Sequence, residues 1–135
     1  MINIRKLLEE NGLPSSDLTE GPVPLFLVIR NIDKLLACAG TEIYPPFALL
    51  RSLAVRPEFR KRGFGAELLT AIENLLISKG VQSVYLLTTT AEDYFAGKGY
   101  ILSNRNIVPS TISATNEFRS LCPASAVCMV KHLGK

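Results

Sequence analysis

Between Arg51 and Leu69 the chain reads RSLAVRPEFRKRGFGAELL. An apolar run ends at a proline, cations gather at Arg56, Arg60, Lys61 and Arg62, and Gly63 and Gly65 then lead into a helix-like sequence. That order suits anion binding. The first turn of a helix has unpaired backbone N–H groups and a partial positive charge. Glycines let a ligand approach the backbone closely, and Arg60, Lys61 and Arg62 add full charges. A pyrophosphate is the natural ligand for such a turn. The familiar phosphate motifs fit badly: there is no G-x-x-x-x-G-K-[ST], and Leu68 stands where G-x-G-x-x-G needs its third glycine. Taken alone, the same residues also describe a helix start with solvated charges.

The elements around the turn follow from composition and period. LFLVIRN (Leu25 to Asn31), LLACAGTEIY (Leu35 to Tyr44) and FALLRSLAV (Phe47 to Val55) read as strands. NIDK has the residues of a hairpin turn, and Pro45 and Pro46 break the second strand. From Gly65 the period becomes helical, with Leu68, Leu69, Ile72, Leu75 and Leu76 on one face and Gly80 as the stop. VQSVYLLTTT is a strand, AEDYFAGKG a short helix, YILS a strand, STISATNEFRSL a helix and SAVCMVKHL a last strand. NIRKLLEENGL at the start reads as a helix, followed by the Pro-rich loop SSDLTEGPVP. A hairpin followed by a strand–helix–strand crossover predicts an α/β fold with a mixed sheet and helices on both faces.

Bulk properties narrow the class. With 135 residues, 47% of them apolar, the chain suits a single domain over 1–135. Its net charge of +3 is too small for a nucleic-acid footprint, so no nucleic-acid partner is expected. Four of the fifteen basic residues lie between Arg56 and Arg62, so the charge has a local meaning. No apolar run has the length of a membrane span, and MINIRKLLEENG puts acidic residues where a signal peptide needs apolar ones. A cytoplasmic protein without a membrane partner is expected. Cys38, Cys122 and Cys128 match no zinc spacing; free thiols are the plain reading, and no metal site is expected.

RKRGFG matches the [QR]-x-x-G-x-[GA] signature of the GNAT N-acetyltransferase superfamily, and LAVRPEFR resembles the strand that precedes it. The resemblance runs from about Leu25 to Tyr100. It implies the GNAT fold, whose parallel fourth and fifth strands splay apart at a bulge, and it implies acetyl-CoA as cofactor. Carried onto this chain, Arg60, Lys61, Arg62, Gly63, Phe64 and Gly65 would hold the pyrophosphate. The backbone of Leu53, Ala54 and Val55 would hold the pantetheine arm, and a strand amide would polarise the thioester carbonyl. LLRSLAV, YLLTTTAEDYFAGKGY and SLCPASAVCM look like the arsenic-resistance N-acetyltransferases, and the LTT…A…YF…GY portion is similar to the acetyltransferase domain of N-acetylglutamate synthase. Both point to a small amino acid-like substrate acetylated on its amine, an arsenic-containing one among them.

The chemistry needs a neutral amine and a proton for the leaving thiolate. Many GNAT members supply that proton from the tyrosine of Y-x-x-x-G-[FY], but Phe95 holds this position. Tyr94, its neighbour, is the candidate acid, set against a packing role with a wet hydroxyl. Glu42 is the candidate base, set against a strand-end carboxylate. Arg51 interrupts an apolar strand: it is either a structural ion pair, with Glu42 as partner, or a fork for an anionic substrate group. Thr88, Thr89 and Thr90 end a strand beside the expected cleft, and Thr88 and Thr89 are candidate substrate contacts against plain β-propensity. Glu92 and Asp93 suit a helix start, Cys122 and Cys128 suit buried packing, and His132 suits the surface.

The reading that results is an acetyl-CoA-dependent N-acetyltransferase acting on a small-molecule amine. The alternatives are a protein N-terminal or polyamine acetyltransferase, and a non-catalytic acyl-CoA-binding sensor. Family members usually begin with a strand before the first helix. Its absence here would leave an exposed edge and favour a homodimer.

Overall fold

The computed structural model describes residues 25–30, 34–115, 118–119 and 126–133. The expected first helix, the Pro-rich loop after it, most of NIDK, and Cys122 lie outside the described residues. Among the described residues six strands form one sheet, β1-β2-β3-β4-β6-β5. The chain divides into two compact units, Met1–Glu42 with Leu50–Leu75 and Ile43–Leu49 with Leu76–Lys135.

In the first unit, β1 (Leu25–Arg30) runs antiparallel to β2 (Leu35–Tyr44), in register from Leu25↔Thr41 to Ile29↔Ala37, with a register shift before Arg30↔Leu35. Leu35 through Thr41 of β2 are all buried, as an unbroken apolar run requires. β3 (Phe47–Val55) starts in the second unit and ends in this one. It contains a feature that residue types do not signal: Ser52 has φ 62°, a left-handed residue inside a strand. Such an irregularity acts as a bulge does, re-aiming the strand beyond it. Ala48 through Ser52 are all buried, as the apolar run of β2 is.

α1 (Phe64–Ser78) follows, with Leu68, Leu69, Ile72 and Leu76 of the expected apolar face buried. It closes in the second unit with a Schellman motif: the Val81 N–H donates to the Leu76 carbonyl at 3.0 Å and the Gly80 N–H to Ile77 at 3.1 Å, with Gly80 at φ 84°. β4 (Ser83–Thr88) is therefore shorter than the ten residues expected from VQSVYLLTTT. Val81 belongs to the helix stop, and the Gln82 N–H donates to the Pro46 carbonyl at 2.7 Å. At the other end the Thr88 hydroxyl accepts from the Ala91 N–H at 3.0 Å, which turns Thr89 and Thr90 out of the strand.

β3 and β4 are parallel, paired over Phe47↔Ser83, Ala48↔Val84 and Leu49↔Tyr85. After α2 (Glu92–Ala96) comes β5 (Ile101–Ser103), then α3 (Ser110–Ser113) and β6 (Val127–His132). β6 pairs antiparallel with β4 and with β5. Of the helix expected over STISATNEFRSL, the described residues hold one α-helical turn, Ser110–Ser113, and a π-helical pair at residues 118–119. Hydroxyl and β-branched residues weaken this helix, and the Thr115 hydroxyl donates to the Ile112 carbonyl at 2.7 Å just past its end. Among the described residues no helix is long and apolar enough to cross a membrane.

Candidate active site

The charged turn after β3 is built in short steps. Pro57–Phe59 form one 3-10 turn, opened by the Phe59 N–H donating to the Arg56 carbonyl at 2.9 Å. The base of the turn is tied to β2, because the Arg56 N–H donates to the Leu36 carbonyl at 2.8 Å and its guanidinium donates to the Leu35 carbonyl. The Arg60 guanidinium donates to the Val55 carbonyl at 3.2 Å, folding its charge back beside the strand end. Arg62 lies over the Phe59 ring at 5.2 Å, a cation–π contact that steadies its charge on the turn.

Two left-handed residues then reverse the chain, Lys61 at φ 67° and Gly63 at φ 82°. Gly63 gives its carbonyl to the first intrahelical bond, from the Glu67 N–H at 2.9 Å. The N–H groups of Phe64, Gly65 and Ala66 thus precede the first intrahelical donor. Arg60, Lys61, Arg62 and Gly63 are exposed, and a Cβ built on Gly63 would meet nothing within 4 Å. Ordered N–H groups, a helix dipole, open space and three cations at one helix start fit a diphosphate in both charge and shape.

Just before the turn, Leu53 and Val55 are half-buried and Ala54 is buried. Arg51 is buried, and its Nη1 donates to Glu42 Oε2 at 2.9 Å; the Arg51 side chain is 0% exposed and that of Glu42 17%. Of the two readings for Arg51, the ion pair with Glu42 is what the structure contains. All of these residues belong to the first unit, as do Arg60 to Gly65.

Thr88, Thr89 and Tyr94 belong to the second unit. Thr88 is half-buried with its hydroxyl occupied as the acceptor for Ala91, and Thr89 is exposed. Tyr94 is 39% exposed, while Phe95 is buried with its ring edge-on to those of both Tyr94 and Tyr100. Phe95 is the buried ring of the pair, and Tyr94 packs edge-on against it from the more exposed side. Desolvation pushes the Tyr94 hydroxyl above its ordinary value of 10.0, which keeps it a proton donor through the neutral range. Cys128 is buried, and its thiol is pushed up by desolvation, opposed by a hydrogen bond with Ser103 and the charge of Arg105. His132, exposed at the end of β6, pairs its Nδ1 with the Ser83 hydroxyl at 2.8 Å.

Residues 5–100 match the family described as Acetyltransferase (GNAT) family. The chain belongs to the GNAT acetyltransferase family. Among its GNAT relatives, an amino-acid acetyltransferase of Pseudomonas syringae pv. tomato is 32% identical over 119 residues, covering 83% of this chain and 27% of that protein. An amino-acid acetyltransferase of Actinobacillus pleuropneumoniae is 28% identical over 114 residues, 81% of this chain and 26% of the other. The chain spans about a quarter of the length of these curated relatives.

The GNAT fold is shared with an N-acetylglutamate synthase from Neisseria gonorrhoeae complexed with coenzyme A and N-acetyl-glutamate. The TM-score is 0.83 at 22% identity, over 100% of this chain and 33% of that one. A Mycobacterium tuberculosis protein in complex with CoA and NLQ gives 0.77 at 18% identity, over 97% and 92%. The expected mixed sheet with parallel central strands is therefore the GNAT sheet, and acetyl-CoA is the acetyl donor of the family. The relatives carry amino-acid acetyltransferase names, which support the amino-acid resemblance and not the arsenic-resistance one.

Sequence reasoning located the turn but missed Ser52 and Cys38. The Cys38 thiol donates to the Ser52 carbonyl at 3.4 Å, and Arg51 Nε donates to the Ser52 hydroxyl at 3.1 Å. A serine inside an apolar strand is the only trace of this in the sequence.

Proposed function

We propose that this chain is an acetyl-CoA-dependent N-acetyltransferase whose acceptor is the α-amine of an amino acid or a close analogue. The observation that carries the reading is the start of α1, where a left-handed Gly63, three exposed cations and the N–H groups ahead of the first helical donor converge. Bound acetyl-CoA supplies the acetyl group as a thioester. The backbone from Arg60 to Gly65 would hold the diphosphate, with Arg60, Lys61 and Arg62 neutralising it. The backbone of Leu53 to Val55 holds the pantetheine arm and offers an amide to the carbonyl oxygen. With the cofactor bound, its thioester would be the group the neutral amine attacks, a C–N bond replacing the C–S bond, and Tyr94 would be the residue to give the departing sulfur its proton. The amine proton passes to water or to Glu42, and Thr88 and Thr89 are substrate contacts. The free thiols of Cys38 and Cys128 agree with a reducing, cytoplasmic setting.

An α-amine titrates near ~8, so little general-base help is needed. The acceptor kcat/KM should therefore rise with pH and level off near ~8 as the reactive neutral amine forms. Because the Tyr94 hydroxyl sits above 10.0, loss of the acid form should depress kcat only beyond that value. A fall beginning at neutral pH would exclude Tyr94 as the donor. Tyr94→Phe should lower kcat by about tenfold with little change in either KM, since water reaches an exposed site and replaces part of the acid's role. An unchanged kcat would leave Tyr94 a packing residue.

The acceptor is settled by turnover. The purified chain is mixed with acetyl-CoA and a panel of α-amino acids, arsenic analogues, polyamines and peptides with free N-termini, and released thiol is followed. Turnover with α-amino acids is the expected result, and the arsenic analogues then test the finer class. Turnover with polyamines or peptides alone would overturn the acceptor assignment. Tight CoA binding without turnover on any amine would make the chain a sensor.

A further inference from the structure

We propose that Arg51 and Cys38 are positioning residues which together hold Ser52 left-handed and so aim the backbone of Leu53–Val55 at the cofactor. The inference rests on the acetyl-CoA reading of the site. Ser52 has φ 62° although it carries a side chain, and such a residue persists only where its surroundings over-determine it. Here the surroundings are two anchors on different atoms. Arg51 Nε donates to the Ser52 hydroxyl at 3.1 Å, fixing the side chain. The Cys38 thiol, from β2, donates to the Ser52 carbonyl at 3.4 Å, fixing the following peptide plane.

Each anchor is itself held. The Arg51 guanidinium is tied through Nη1 to Glu42 at 2.9 Å and is fully buried. Cys38 is fully buried, and burial pushes its thiol up to about 12, so it keeps the proton it donates. The consequence is directional. A strand with one left-handed residue cannot continue its pleat, and every peptide after it is re-aimed. The residues next in line are Leu53, Ala54 and Val55, and then the turn whose base Arg56 ties to Leu36. Arg51 thus directs both its Nε and its Nη1 to protein acceptors beside the bulge, the geometry of a clamp on the cofactor strand.

Glycine adopts positive φ without help, which gives the test. Arg51→Lys keeps the charge for Glu42 but has no forked guanidinium to reach Ser52 as well. It should raise KM for acetyl-CoA by about tenfold, the value of one hydrogen bond to a charged group, and leave the acceptor KM within about twofold. Adding Ser52→Gly to the same chain should return KM for acetyl-CoA to within about threefold of the wild type, because the bulge no longer needs its clamp. A rise confined to the acceptor KM, or a failure of Ser52→Gly to restore acetyl-CoA, would overturn the inference.

Cys38→Ala removes the thiol donor and leaves the ion pair alone. It should speed amide hydrogen exchange at Leu53–Val55 without added cofactor, while Cys38→Ser, which keeps a donor, should not. Unchanged exchange in Cys38→Ala would equally count against the clamp. A wild-type chain that binds no CoA overturns the cofactor reading and this role with it, while exchange at Leu53–Val55 still reports whether Ser52 is clamped.

Discussion

Gly63→Asp should weaken CoA binding by about a hundredfold while leaving thermal stability almost unchanged. The two halves of that result have separate causes. Gly63 precedes α1 directly and gives its carbonyl to Glu67, so an aspartate there would stand at the N-cap. Its carboxylate would accept from the N–H groups of Gly65 or Ala66, a favourable cap of about 1 kcal/mol. Against this stands the left-handed backbone, φ 82°, which costs a residue with a Cβ about 1–2 kcal/mol, less for aspartate than for most. The space around the new Cβ is open, so no clash adds to the sum.

Binding has no such compensation. The new carboxylate occupies N–H groups assigned to the diphosphate and cancels part of the charge of Arg60, Lys61 and Arg62. Losing two charge-assisted hydrogen bonds costs about 3 kcal/mol, or about a hundredfold in Kd. Gly80 makes the control, with φ 84° and an equally open Cβ position at the other end of the same helix. Gly80→Ala should cost about 1 kcal/mol of stability and leave the Kd for CoA alone. Calorimetric titration with CoA and thermal melts of both variants separate the cases. If CoA affinity survives Gly63→Asp, the diphosphate does not sit at this turn.

The ends of β2 and β3 were readable because their causes are local. Two prolines separate two apolar runs, and Leu35–Tyr44 and Phe47–Val55 follow directly. The turn was readable for the same reason, since cations and glycines at a strand–helix junction state their chemistry in residue types. What escaped depends on contacts between distant residues. The left-handed Ser52 answers to Cys38, fourteen positions earlier, and serine as a type carries no preference for positive φ. The length of β4 was over-read because Thr88 has the composition of a strand and the hydrogen bond of a turn. Just past α3 the Thr115 hydroxyl bonds the Ile112 carbonyl, a contact that a helix-like composition does not state. Arg51 was legible as a buried charge needing a partner, and Glu42 was named for it; which of that pair's roles matters is a question of energy.

Arg51→Met should cost on the order of 3 kcal/mol in unfolding free energy, the low end for breaking a buried pair. The low end applies because Glu42 keeps 17% of its side-chain surface and water can still reach the carboxylate left behind. For a chain of this size that is a fall in Tm of about 10 °C. Adding Glu42→Gln removes the stranded charge and should recover more than half of the loss, because the penalty lies in the uncompensated carboxylate more than in the lost attraction. Urea unfolding of the wild type, both single variants and the double variant gives the coupling directly, and a coupling under about 0.5 kcal/mol would mean that the pair contributes little. The same Glu42→Gln chain divides the two roles proposed for the carboxylate. A base that takes the amine proton cannot be replaced by an amide, so kcat would fall, most steeply below ~8 where the amine is still protonated. A partner for Arg51 can be, and kcat would persist at reduced stability. The 2.9 Å contact with Arg51 favours the second outcome, in which the amine proton leaves through water and Glu42 serves the strand that holds the cofactor.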